Sequence, residues 1–191
     1  MRSFDVRVFL ISVIVAGGLG VMAAGGGLYL ETRDSFCAAC HTQPETMYYD
    51  RSVDAGSGGV DLASFHSLQE RTRCIDCHGG VGPRARLATL MVAAGDTLQF
   101  VTGRYQQPAM MAHPLANPNC RQCHDDAVIR EGFENHFHNL MDDSEAPVVL
   151  CVACHISHQE GDERAFFVRE EDVFPSCNRC HAVMGGPSEL Q

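Results

Sequence analysis

The longest apolar run in the chain extends from Val8 to Leu30, 23 residues without a charge. At about 1.5 Å of rise per residue it is long enough, as a helix, to cross the roughly 30 Å hydrocarbon layer of a bilayer. It predicts one membrane-spanning helix, closed by Glu31 and Arg33. The competing interpretation is a cleaved signal peptide, since Val21-Met22-Ala23 loosely resembles a cleavage site. The run continues beyond that point through Gly25, Leu28 and Leu30, longer than a signal's apolar segment, which favours a retained anchor. Arg2 and Arg7 lie at its N-terminal end and no other basic residue occurs before Arg33, so the positive-inside bias places the N-terminus in the cytoplasm. Ala16, Gly20 and Ala24 form a row of small residues, with Ala23 and Gly27 adding a second. Such rows let another helix approach closely, and they predict an integral membrane subunit packed on the anchor.

Beyond residue 34 the hydrophobic pattern is sparse. One stretch, Arg86 to Thr102, carries Leu87, Leu90, Met91, Ala94, Leu98 and Val101 at helical spacing and predicts an amphipathic helix, too short and polar to span a membrane. It is expected to pack on the cofactors that the cysteine motifs would hold, with the membrane surface or another subunit as the other possible seats. Pro108, Pro114 and Pro118 break the chain after it, and Gln159 to Phe174 reads as a surface excursion. Short helices, long irregular connections and very little sheet are expected, so the fold class is mostly α with extensive irregular coil. The domain organisation is an anchor at residues 1–34 and a single domain at residues 35–191.

All ten cysteines fall in five copies of Cys-x-x-Cys-His: Cys37, Cys40 and His41; Cys74, Cys77 and His78; Cys120, Cys123 and His124; Cys151, Cys154 and His155; Cys177, Cys180 and His181. Two thiols three positions apart can each close a thioether onto one porphyrin, and the adjacent histidine reaches the iron from the same side. A zinc site would gather two such pairs, or one pair and two histidines, around a single ion and would not need a histidine after every second cysteine. A redox dithiol would not repeat five times. The pattern therefore predicts five covalently bound haem c groups, one for roughly every 32 residues of the exported part. That is too little polypeptide for a conventional core around each, so the porphyrins themselves are expected to fill the core of a compact multihaem domain.

Five histidines remain outside the motifs: His66, His113, His136, His138 and His158. One spare per iron predicts bis-histidine ligation throughout, which leaves no open coordination position for a substrate and makes the chain a conductor of electrons rather than a catalyst. His158, three residues after His155, cannot reach the far side of the haem that His155 serves and is expected to serve a neighbour. His136 and His138 point in different directions in a helix and to one face in a strand. Met47, six residues after His41, is the alternative distal ligand of the first haem, where a thioether would raise the potential.

The chain has 14 arginines and no lysine against 24 acidic residues, for a net charge of −10. The acidic balance argues against a nucleic-acid partner and is compatible either with steering of a basic soluble electron acceptor or with simple solubility.

An N-terminal anchor, then Phe36-Cys37-Ala38-Ala39-Cys40-His41, then His66 eight residues before Cys74, resembles the NapC/NirT family of membrane-anchored multihaem cytochromes over about residues 5–160. The resemblance implies a single-pass protein of the bacterial cytoplasmic (inner) membrane with its haem domain on the periplasmic or outer side. It also implies electrons drawn from membrane quinol and passed to periplasmic reductases, with His66 and His158 as distal ligands. Two features depart from that pattern: the fifth motif at Cys177, and the absence of the lysine that quinol sites in the family use beside the first haem. A small anchored pentahaem chain with a helix made for packing looks more like the pentahaem subunit of alternative complex III. That likeness implies quinol only indirectly, through a polytopic subunit, with iron-sulfur and monohaem cytochrome partners and a soluble acceptor.

Three functions follow from these readings. The first is a non-enzymatic electron-transfer subunit of a quinol-oxidising membrane complex. The second is a stand-alone quinol dehydrogenase, with Glu31, Asp34 or Glu45 as proton acceptors near the first haem. The third is a reductase, which would require one spare histidine to miss its iron and leave a five-coordinate haem.

Overall fold

The computed structural model describes residues 6–40, 42–54, 56, 58–109, 111, 115–128, 136–140, 145–146 and 148–186. Among them the architecture is helical, with no strand and two isolated bridges, Asp61 to Glu160 and His155 to Val168. The N-terminal helix α1, Val6–Leu30, is one helix long and apolar enough to cross a membrane, and every one of its side chains is exposed.

Eight shorter helices follow among the described residues: α2 Asp34–Cys40, α3 Glu45–Val53, α4 Leu62–Glu70, α5 Cys74–His78, α6 Gly82–Val101, α7 Asn117–Val128, α8 His136–Asn139 and α9 Glu170–Met184. Two single 3₁₀ turns, Cys151–Ala153 and Glu163–Ala165, punctuate the loops between α8 and α9. The helix expected from Arg86 starts four residues earlier, because Pro83 in its first turn has the backbone angle a helix start needs and no amide there to satisfy. Just before it the chain reverses at Gly80, whose φ of 75° is left-handed and where a Cβ would stand 2.8 Å from the Ala85 carbonyl carbon.

The polypeptide buries little of its own apolar surface. Among the described hydrophobic residues only Phe167 is buried, and the chain exposes 13894 Å² where a globular protein of this mass exposes ~9,000 Å². Tertiary order comes instead from polar nodes. Asp61, 1% exposed, caps α4 by accepting from the Ser64 amide at 2.8 Å while its own amide donates to Ser64 Oγ at 3.1 Å. Arg51 of α3 pairs with Asp61 at 3.1 Å and with Glu160 at 2.5 Å. Backbone bonds from Ala63 to Ser157 and from Gly161 to Val60 close the same node. It locks α3, α4 and the 155–161 loop together, and so positions both His66 and His158.

The segment after Gln159 is a surface excursion only in part. Phe166 is exposed, but Phe167 turns in against Phe65, ring centres 5.5 Å apart, and becomes the buried hydrophobic residue of the node.

Replacing Asp61 by alanine removes the cap and leaves Arg51 with only its exposed partner. Denaturant unfolding of the mature protein should show a loss of about 3 kcal/mol, whereas Asp61→Asn, which keeps the cap acceptor, should lose about half as much. Loss of under about 0.5 kcal/mol in D61A would mean the node is not structural.

Candidate functional site

The described motifs lie on helical turns: the cysteines of the first motif on α2, the second motif on α5, the third on α7 and the fifth on α9, with the fourth on the 3₁₀ turn at Cys151. A turn brings positions i, i+3 and i+4 to one face, so two sulfurs and an imidazole leave the backbone on the same side. On α7 the backbone departs from helical angles at His124 itself, φ −110° and ψ 16°, which re-aims that side chain.

Neighbouring motifs meet in chain order. The Cys37 and Cys74 thiols hydrogen-bond, a contact that draws Cys37 down and pushes Cys74 up. Cys120 and Cys151 do the same, with Cys151 drawn down to about 7 and Cys120 pushed up. Burial pushes Cys77 up, helped by the charges of Asp76 and Cys123, and likewise Cys154, helped by Cys177 and Cys151. First is therefore beside second, second beside third, third beside fourth and fourth beside fifth.

Side chains stitch the same series. Asp34 accepts from the Cys74 amide at 3.0 Å, and Asn117 accepts from the Cys151 amide at 2.8 Å while donating to Val149. Asn119 and Gln122 donate to the carbonyls of Cys77 and Asp76. None of these polar residues except Asp34 stands out in the sequence, and there it reads as a proton acceptor rather than a cap. Asp34 and Asn117 each sit three residues before a first cysteine, but Arg71, Val148 and Phe174 hold that place in the other three motifs, so the motif alignment carries no common signal for it.

The histidines come together in pairs. His78 lies 6.2 Å from His158 with ring planes 10° apart, and His155 lies 6.3 Å from His138 at 11°. His181 lies 6.3 Å from His136 at 31°, and His124 lies 5.8 Å from His66 at 83°. Each pair joins one motif histidine to one non-motif histidine, and none is used twice. Two imidazoles trans on one metal, with bonds of about 2.0 Å and about 1.1 Å from nitrogen to ring centre, have centroids about 6.2 Å apart. Their planes are free to take any rotation about the common axis. The short helix α8 thus sends His136 and His138 to two different motifs, the divergence expected of i and i+2 in a helix.

Hydrogen bonding and burial suit these rings to metal ligation. His66 Nδ1 bonds the Leu62 carbonyl at 2.8 Å and His155 Nδ1 bonds the Phe166 carbonyl at 3.0 Å, which orients both rings and leaves Nε2 for a metal. His158 and His181 each bury an Nδ1 without a hydrogen-bond partner. Burial, and then the nearby His155 and His78 respectively, lower the pKa of His138 and His158, favouring the neutral imidazole that binds metals. Tyr48 stacks on His158 with ring centres 4.1 Å apart and planes 10° apart, holding that ring's orientation.

His41 and His113 lie outside the described residues. Met47, on α3, borders a cavity of about 300 Å³ with Gln43, Thr46, Asp50, Arg51 and Asp54. Of the candidate proton acceptors, Glu31 is paired with Arg86 and Asp34 caps Cys74. Among the described residues no three His, Cys, Asp or Glu side chains converge on a single metal-sized point; the donors meet two at a time. No family model, curated protein or solved structure matches the chain.

Proposed function

We propose that this chain is a membrane-anchored pentahaem c-type cytochrome. It relays electrons from a quinol-oxidising membrane complex of the alternative complex III type towards a soluble acceptor, with no substrate chemistry of its own. The observation that carries this reading is the set of four histidine pairs, each uniting a Cys-x-x-Cys-His histidine with a spare one at 5.8 to 6.3 Å.

On this reading the ten motif cysteines would hold the haems, and the histidines that would bind iron are His78 with His158, His124 with His66, His155 with His138, and His181 with His136. His41 and His113 lie outside the described residues; by count His113 would be left for the first motif, with Met47 as the alternative. Bound there, each haem would supply a one-electron couple and part of the apolar core that the polypeptide lacks. The protein's contribution would be to offer two histidines to each iron and so exclude substrate from the metal. It also fixes ring planes through Leu62, Phe166 and Tyr48, and sets the attachment sites side by side in chain order. Membrane helix α1 would hold this series at the outer face of the bacterial cytoplasmic membrane, beside an integral membrane subunit.

A stand-alone quinol dehydrogenase is the second reading, favoured by the cavity beside Met47 with its two carboxylates, Asp50 and Asp54, and one guanidinium, Arg51. The purified protein should yield five haems per chain by pyridine haemochrome assay, all low-spin at rest. A lower count would sink the cytochrome assignment, and a high-spin fraction would reopen a reductase role. A quinol analogue should reduce the isolated chain slowly and the chain in native membranes fast; rapid reduction of the isolated chain would establish the second reading instead.

A further inference from the structure

The helix α6 presents an exposed apolar line. Leu87, Met91, Leu98 and Val101 are 60%, 68%, 66% and 77% exposed, and Ala94 completes the series. Their 4-3-4-3 spacing keeps them within a narrow stripe, and Asp96, the sole acid of the helix, projects about 180° from Leu87.

The start of that stripe is tied to the end of the anchor. Glu31, the residue after α1 ends at Leu30, forms a part-buried ion pair with Arg86, the residue before Leu87. If α1 spans the bilayer, Leu87 therefore begins at headgroup level. The surroundings have the chemistry of that level. At the anchor's end the Arg33 guanidinium lies 5.2 Å from the Tyr29 ring centre and donates to its hydroxyl at 2.6 Å. At the far end of α6, Phe100 packs on Tyr105 at 5.0 Å, beside exposed Arg104, and exposed Arg84 lies in the first turn. Aromatic and arginine side chains framing an apolar stripe are what an interfacial helix uses, rings at the boundary and guanidinium groups on lipid phosphate.

From this continuity we infer that α6 is a second membrane contact: it lies in the outer leaflet's interface with Leu87, Met91, Ala94, Leu98 and Val101 towards the acyl chains. The inference rests on α1 being a span. Two attachments instead of one would hold the haem domain in a fixed orientation over the bilayer, where a single helix would let it swivel.

The test uses the full-length holoprotein in nanodiscs of phosphatidylcholine and phosphatidylglycerol doped with a phospholipid that carries a photoactivatable diazirine on its acyl chain. After irradiation and digestion, adducts are expected in peptides from both α1 and α6. In the M91E/L98E variant the α6 adducts should disappear while α1 labelling and haem content persist. A water-soluble maleimide should modify Leu98→Cys about tenfold more slowly than Asp96→Cys in the same discs, as shallow burial in the interface requires. Adducts in α1 with none in α6 would overturn the inference and leave the anchor intact. Absence from both would overturn the span itself. Rapid maleimide labelling of Leu98→Cys in discs but not in native membranes would assign the stripe to a protein partner. Protection of that cysteine from both reagents would place the stripe against a haem, and either result overturns lipid contact.

Discussion

On the proposed pentahaem reading, replacing His158 by alanine should turn one haem high-spin and leave the other four unchanged. The expectation follows from the parallel placement of His158 and His78 at 6.2 Å and from the buried, otherwise unpartnered Nδ1 of His158. Low-temperature electron paramagnetic resonance of the oxidised protein would read it as a high-spin signal from about one fifth of the haem, since removing one axial donor affects one iron. A methionine at the same place should restore low spin and move one couple upward by a few tenths of a volt, within the about 0.8 V that axial ligands span. That rescue separates ligation from a structural role, because a packing defect would not be converted into a raised potential. The pairing also predicts additivity: H138A and H136A should each create one high-spin haem, at the fourth and fifth motifs, and the double variant two. Five low-spin haems in H158A would refute the assignment of His158 to His78.

A larger effect is expected when haem attachment is prevented altogether. A chain with its ten motif cysteines replaced by serine should keep at most α1 as stable helix in detergent and lose the rest. Ordering each residue costs about 1–2 kcal/mol of backbone entropy, and that cost must be met by buried apolar surface. Here Phe167 is the buried hydrophobic residue among those described. The polar node of Arg51, Asp61 and Glu160 cannot replace such a core, because ion pairs largely exchange water for each other. Circular dichroism should show helix loss after subtraction of an α1 peptide, and limited proteolysis should cut throughout residues 35–186. A cooperative unfolding transition in the serine variant would show that the polypeptide folds by itself and that the proposed haem-filled core is wrong.

How much of this was legible beforehand differs by element. Helix α1 could be read directly, since 23 uncharged residues have few soluble alternatives. The helix at α6 was legible from its spacing, with its start displaced by Pro83. Gln159 to Phe174 was only half legible: two adjacent phenylalanines have the same hydropathy, and the turn that exposes Phe166 and buries Phe167 depends on a contact with Phe65 about a hundred residues away. The Arg51 node was not legible, because an arginine, an aspartate and a glutamate spread over residues 51–160 have no local signature.

What the sequence determined by itself is the chemistry that depends on local covalent spacing: five cysteine pairs with their adjacent histidines, five spare histidines, and one run long enough to cross a membrane. These are readable because a helical turn or a fixed rise per residue converts sequence distance directly into space. Which spare histidine faces which motif, and that neighbouring motifs touch in chain order, was decided only by the tertiary structure. His66 meets His124 and His158 meets His78, partners 58 and 80 residues apart, across loops whose closure depends on caps and ion pairs elsewhere. Loop closure depends only weakly on length, so sequence separation carries almost no information about which ends meet, and distant side-chain contacts select among the possibilities.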